Sequence, residues 1–174
     1  MSTDLRYPIG PDVAPVSTTP AERAARIDAI ASLSAELHAA VRGLTEAQLD
    51  TPYRAGGWRV RQVVHHIADS HANAYIRFKL ALTENNPVIK PYDEARWAEL
   101  ADNSLPIENS LRLVEALHKR WATVLRSLAP ADFARTFQHP ERGSQTLDVA
   151  LASYVWHGRH HTAHITALRK REGW

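Results

Sequence analysis

Leu147, Leu151, Tyr154, Gly158, His161, Ile165 and Leu168 recur at alternating intervals of four and three. That is an a/d seam sustained over three heptads. A strand would repeat every second residue, and a loop would show no period. The seam therefore predicts a helix from about Thr146 to Arg171 that buries one narrow stripe. A lone helix cannot bury its own stripe, so the rest of the chain must supply helical partners.

Three partners are legible. Thr19, Pro20 and Glu22 make an N-cap, a proline at the first helical position and a capping-box glutamate. Ile27, Ile30, Ser34, Leu37, Val41 and Leu44 then form a stripe with one polar break, and Gly43 is placed to end the helix. Thr45 to Gln48 reads as a short extra helical turn. After the breaker Gly56-Gly57, a helix over roughly 59–84 carries Val60, Val63, Val64, Ile67, His71, Ala74 and Phe78 on one face. Asn86-Pro87 stops it. A third helix, from about Ser104–Pro106 to Leu128, is striped by Ile107, Leu111, Val114, Leu117, Trp121, Val124 and Leu128.

The fold class is all-α, a four-helix bundle with short extra helical turns. The connection between the second and third helices holds a further turn around Trp97 and reads as a crossover. A β-hairpin near 133–149 would be short, because Pro140 and Gly143 sit inside it. The domain reading is an extended arm over residues 1–19, broken by Pro8, Pro11 and Pro15, and one bundle domain over 20–174. Leu5, Tyr7 and Ile9 alternate along that arm and can pack on a surface groove.

Composition matters next, through one contrast: no cysteine and ten histidines. Without thiols there is no disulfide scaffold, thiolate nucleophile, iron–sulfur cluster or cysteine zinc site. A transition metal would need imidazole and carboxylate. A formal charge of +2 with scattered basic residues argues against nucleic acid. No apolar run approaches a membrane span, and residues 1–10 lack the apolar core of a signal peptide, so the expected setting is cytoplasmic.

Seven of the ten histidines fall in two runs, His65, His66 and His71 on the second helix and His157, His160, His161 and His164 on the last. Histidines at i and i+4 share a helix face and can hold one metal ion. At about 100° per residue, His161 lies roughly 30° and His157 about 70° from the seam centre, so this pair faces inward. His160 and His164 tilt towards solvent or an interface. Gly158, between the inward pair, leaves room for a close approach or a ligand. The second helix is less decisive: His71 is nearly on its apolar centre, His66 shares a flank with Ser70, and His65 faces away. Three histidines plus an open position make a catalytic site, each imidazole needing a partner on its second nitrogen. Asp69 and Tyr154 are the candidate partners. His38 and His118 read as surface histidines and His139 as a loop residue. Trp58, Trp97, Trp121 and Trp156 read as core or interface.

The stretches WRVRQVVHHIADSH from Trp58, NAYIRFKLALTE from Asn73, PVIKPY from Pro87, WAEL from Trp97, YVWHGRHHTAHI from Tyr154 and LRYPIG from Leu5 resemble the YfiT-type metal-dependent hydrolases of the wider DinB-like group. The resemblance covers almost the whole chain. It implies a cytoplasmic homodimer of four-helix bundles, each subunit holding one divalent metal, zinc or nickel, on three histidines. The pattern places the first ligand eight residues after the tryptophan that opens the second helix, at His66, and the others at His157 and His161. The implied activity is hydrolysis of a small-molecule substrate by a metal-activated water. Related DinB-like proteins transfer low-molecular-weight thiols such as bacillithiol or mycothiol, which makes a thiol S-transferase the alternative, its sulfur arriving with the substrate. A non-enzymatic helical interaction module is the third reading.

Overall fold

The computed structural model describes residues 4–174. Among the described residues are six α-helices: α1 (Pro20–Val41), α2 (Glu46–Leu49), α3 (Val60–Thr83), α4 (Glu94–Trp97), α5 (Glu108–Ser127) and α6 (Leu147–Glu172). Single 3-10 turns occupy Ala101–Ser104 and Pro130–Ala134. Strands β1 (Thr136–His139) and β2 (Gly143–Thr146) pair antiparallel as a short hairpin leading into α6.

The caps form as the sequence predicts. The Thr19 side chain accepts from the Glu22 amide, and the Glu22 carboxylate accepts from the Thr19 amide. Thr45 and Gln48 make the same reciprocal pair for α2. Gly43 takes a φ of +76°, a left-handed conformation that suits glycine and lets the chain leave α1.

Helices α1, α3, α5 and α6 form the bundle. Each of α1 and α3 packs on both α5 and α6, so α1 lies diagonal to α3. The side-chain pairs fix the directions. His65 meets Ser110, His71 meets His118, and Phe78 meets Trp121, so α3 and α5 run parallel. Arg23 meets Asp148, Leu33 meets Gly158, and Arg169 meets the Ala40 carbonyl, so α1 and α6 also run parallel. Arg77 meets Tyr154 while His66 meets His157, so α3 opposes α6.

Parallel neighbours cannot be joined by a tight turn. The segment from Glu84 to Ile107 therefore travels back along α3, whose 24 residues span about 36 Å. This is the crossover that the extra turn near Trp97 signalled. It is tied down on the way: the Gln62 side-chain amide donates to the Ala98 carbonyl at 2.9 Å, and His65 Nε2 meets the Leu105 carbonyl at 3.2 Å. The outer face of α3 is covered as a result. Arg61, Gln62 and His65 are buried there together with the apolar stripe. His65, expected to face away from the core, is buried by the crossover.

The core has two parts. Phe78, Trp121, Leu125, Leu147 and Leu151 fill one end, while Val60, Val64, Ile67, Val114 and Ile165 fill the other. Between them lies a belt of histidines.

Candidate metal centre

The two i, i+4 histidines on α6 and one histidine on α3 meet across the bundle. One ring nitrogen each from His66, His157 and His161 lies within 4.8 Å of the other two. His66 is buried, and His157 and His161 are half-buried on the wall of a cavity of about 610 Å³. The cavity is also lined by Trp58, by Tyr92 of the crossover, by Phe137 and Arg142 of the hairpin, and by Tyr7 of the N-terminal arm. His66 and not His71 reaches it, because His66 sits on the flank of α3 that faces the cavity. His71 is fully buried in the core below.

The donor set suits a small cation. Nε2 of His66 and Nε2 of His157 stand 3.1 Å apart. Two imidazole nitrogens bound tetrahedrally at about 2.0–2.1 Å would stand about 3.3 Å apart. Burial pushes the His66 imidazole down to about 4 and holds His157 and His161 well below the ordinary histidine value. The neighbouring imidazoles push His157 and His161 further in the same direction. All three are neutral at pH 7 and present lone pairs, the form a metal requires.

The second nitrogens are placed differently from the expectation. Asp69 offers only its backbone carbonyl, to Asn73, and its half-buried carboxyl is pushed up to about 6 by burial and by Asp102. The Tyr154 hydroxyl accepts from Arg77 at 2.8 Å rather than from an imidazole. His157 Nδ1 instead meets His71 Nε2 at 3.3 Å. His71 Nδ1 in turn meets His118 Nε2 at 2.9 Å. His118 is therefore no surface histidine: it is fully buried, and burial pushes it down to about 4. No local pattern could reveal this, since its partner lies 47 positions earlier in the chain.

His160 and His164 also depart from expectation, being buried rather than turned to solvent. Helical periodicity was right about their side of α6, but the chain covers that side with non-helical segments. His164 stacks on Tyr53 at 4.0 Å and its Nε2 meets the Arg6 carbonyl at 3.2 Å. His160 stacks on Trp156 at 4.3 Å, and the Trp156 indole donates to the Gly10 carbonyl at 3.1 Å. Asp12 accepts from Ser153 on the same face. Leu5, Tyr7 and Ile9 remain largely exposed, so backbone carbonyls dock this arm more than its apolar side chains do. His139 ends β1 and lines the cavity, as do Trp58 and Trp156. His38 is exposed, as its isolation predicted. The space at Gly158 belongs to Leu33 of α1 and not to a ligand.

Comparisons with known proteins identify the family and the fold. The sequence model of the DinB superfamily matches residues 29–165. A Bacillus mycoides protein named "Putative metal-dependent hydrolase" is 57% identical over 172 residues, covering 98% of this chain and 99% of the relative. A Bacillus cereus protein of the same name is 57% identical over 171 residues, with the same coverage. Among solved structures, YfiT from Bacillus subtilis, described as a probable metal-dependent hydrolase with an unusual four-helix bundle topology, superposes with a TM-score of 0.95 at 50% identity, covering 98% of both chains. TT2238, a four-helix bundle protein, matches 85% of this chain and 98% of its own with a TM-score of 0.56 at 20% identity, a likeness of fold alone.

Proposed function

The chain belongs to the DinB superfamily, and from that premise we propose that it is a metal-dependent hydrolase whose divalent cation, zinc or nickel, is held by His66, His157 and His161. The observation that carries the reading is the convergence of three neutral imidazoles on one wall of a cavity large enough for a small molecule. A cation bound there supplies Lewis acidity, lowering the pKa of a water ligand and polarising a substrate oxygen.

The protein's own groups do the rest. His71 meets the far nitrogen of His157 and so orients its ring. Trp58 packs against His66 with ring centroids 4.6 Å apart, limiting its rotation. Across the cavity Arg77 donates to the Tyr154 hydroxyl, and the remaining guanidinium donors can anchor a polar substrate group. The YfiT-type resemblance extends the proposal to a cytoplasmic homodimer acting on a small molecule.

Metal analysis of the isolated protein tests the site. The expected result is one divalent cation per chain, lost in His161→Ala while helical circular dichroism is retained. Full metal content in that variant would remove His161 from the site. Activity is tested with a panel of esters and amides, run beside low-molecular-weight thiols with an electrophilic acceptor. Turnover of an ester or amide that a chelator abolishes and added metal restores supports hydrolysis. Metal-dependent turnover with the thiols alone would replace it by S-transfer.

A further inference from the structure

The three histidines of the cavity do not account for His71 and His118, two imidazoles sealed in the apolar core. Neutral histidines have no packing advantage over leucine or phenylalanine there, and each must satisfy two ring nitrogens. They lie in a line. His157 Nδ1 is 3.3 Å from His71 Nε2, and His71 Nδ1 is 2.9 Å from His118 Nε2. Four helices contribute: α6 gives His157, α3 gives His71, α5 gives His118, and α1 offers the Ile30 carbonyl, which faces His118 from the other side.

A neutral imidazole carries one proton, so such a line has only two polarities. In one, each residue donates through Nε2, and His157 would point an N–H at the cavity and could bind no cation. In the other, each residue donates through Nδ1, and His157 presents a bare Nε2. The end of the line decides. A carbonyl only accepts, so the His118 nitrogen facing Ile30 must carry the proton. That nitrogen is Nδ1, because Nε2 already faces His71; it is buried, and the Ile30 carbonyl is the acceptor nearest to hand, approaching it without a fully formed hydrogen bond.

We propose that His71 and His118 are positioning residues: a one-way hydrogen-bond chain from His157 through His71 to His118, whose outer N–H is aimed at the Ile30 carbonyl, holds His157 in the tautomer that leaves Nε2 bare towards His66 and His161. The inference rests on the metal-site reading for its purpose. Its chemistry is read without metal, so the two can fail separately.

The test is long-range proton–nitrogen NMR on the full-length, metal-free, nitrogen-15-labelled protein at neutral pH, followed by zinc titration against a chromophoric chelator. The expected result is Nδ1 protonation of His118, His71 and His157. In His118→Leu, His71 and His157 lose their fixed tautomer, and zinc affinity falls about 10–100-fold. In His118→Gln, the amide oxygen accepts from His71 and the amide N–H reaches Ile30, so tautomer and affinity return to within a few-fold of the parent. An Nε2-protonated His71 in the parent protein overturns the proposal and needs no variant. So does an equal loss in the Gln and Leu variants, which would make His118 a packing residue. If the parent binds neither zinc nor nickel, the metal-site reading fails while the tautomers still report the polarity of the chain.

Discussion

Gly158→Ala is the most direct probe of how α1 and α6 meet. An alanine Cβ at this position would lie 2.0 Å from Leu33 Cδ2, 3.0 Å from its Cδ1 and 3.1 Å from its Cγ. Carbon atoms in contact prefer about 3.5–4.0 Å. Because the branch carbon is crowded as well as the methyls, a simple rotamer change of Leu33 does not relieve the clash, and the helices must part. Overpacking of this kind costs about 1–3 kcal/mol. Replacing a mid-helix glycine by alanine returns about 1 kcal/mol of helix propensity. The net expectation is a loss of up to about 2 kcal/mol, or a fall in Tm of up to about 8 °C for a chain of this size. Leu33 is 1% exposed, and Leu33→Ala alone should cost about 2–5 kcal/mol. In that background the new methyl enters the vacated space, and Gly158→Ala should become neutral or stabilising. Urea and thermal unfolding followed by circular dichroism on all four proteins, metal-free, closes the cycle. A Gly158→Ala protein more stable than its parent, or an equal effect in both backgrounds, would refute the close α1–α6 approach.

Three further outcomes are expected. Burial lowers His66 and His118 to about 4, so between pH 6.5 and 4 the unfolded chain takes up protons that the folded chain refuses; each contributes up to about 3 kcal/mol that is intact above pH 6.5 and lost as the pH falls to 4. Urea midpoints of the metal-free protein at pH 7 and 4.5 read this, and equal midpoints would contradict it. Deleting residues 1–12 removes the Arg6 carbonyl and the arm over α6, so His164, lowered to about 4 chiefly by burial, should titrate closer to 6.5 by NMR; an unchanged value would mean that Tyr53 alone keeps it dry. Arg77→Met should raise KM for any ester or amide the protein hydrolyses by about tenfold and leave metal content unchanged, the loss expected for a charge-assisted hydrogen bond of about 1.5 kcal/mol; an unaltered KM would remove Arg77 from substrate binding.

The α6 seam was readable because one face of that helix meets the bundle along its whole length. It placed His157 and His161 correctly from spacing alone. Helix α3 defeated the same reasoning. Periodicity assumes a wet face, and the crossover strips α3 of one: Val60 to Ala68 are buried without a break. The apolar centre pointed to His71, which is fully buried and orients a cavity residue without reaching the cavity. His66 was indicated only by its place in a longer motif. His118, His160 and His164 were misplaced for a related reason. What buries them is a contact remote in sequence or a segment without helical period, and neither leaves a local trace.

The order in which the bundle is threaded has a consequence for when the three-histidine cluster can form. His66 and His157 lie 91 positions apart, and α6 follows the other five helices. During synthesis the first five helices leave the ribosome while α6 is still being made. A chain that has not yet reached α6 thus holds one member of the His66, His157 and His161 cluster. The three-histidine cluster therefore assembles only after α6 has docked beside α1.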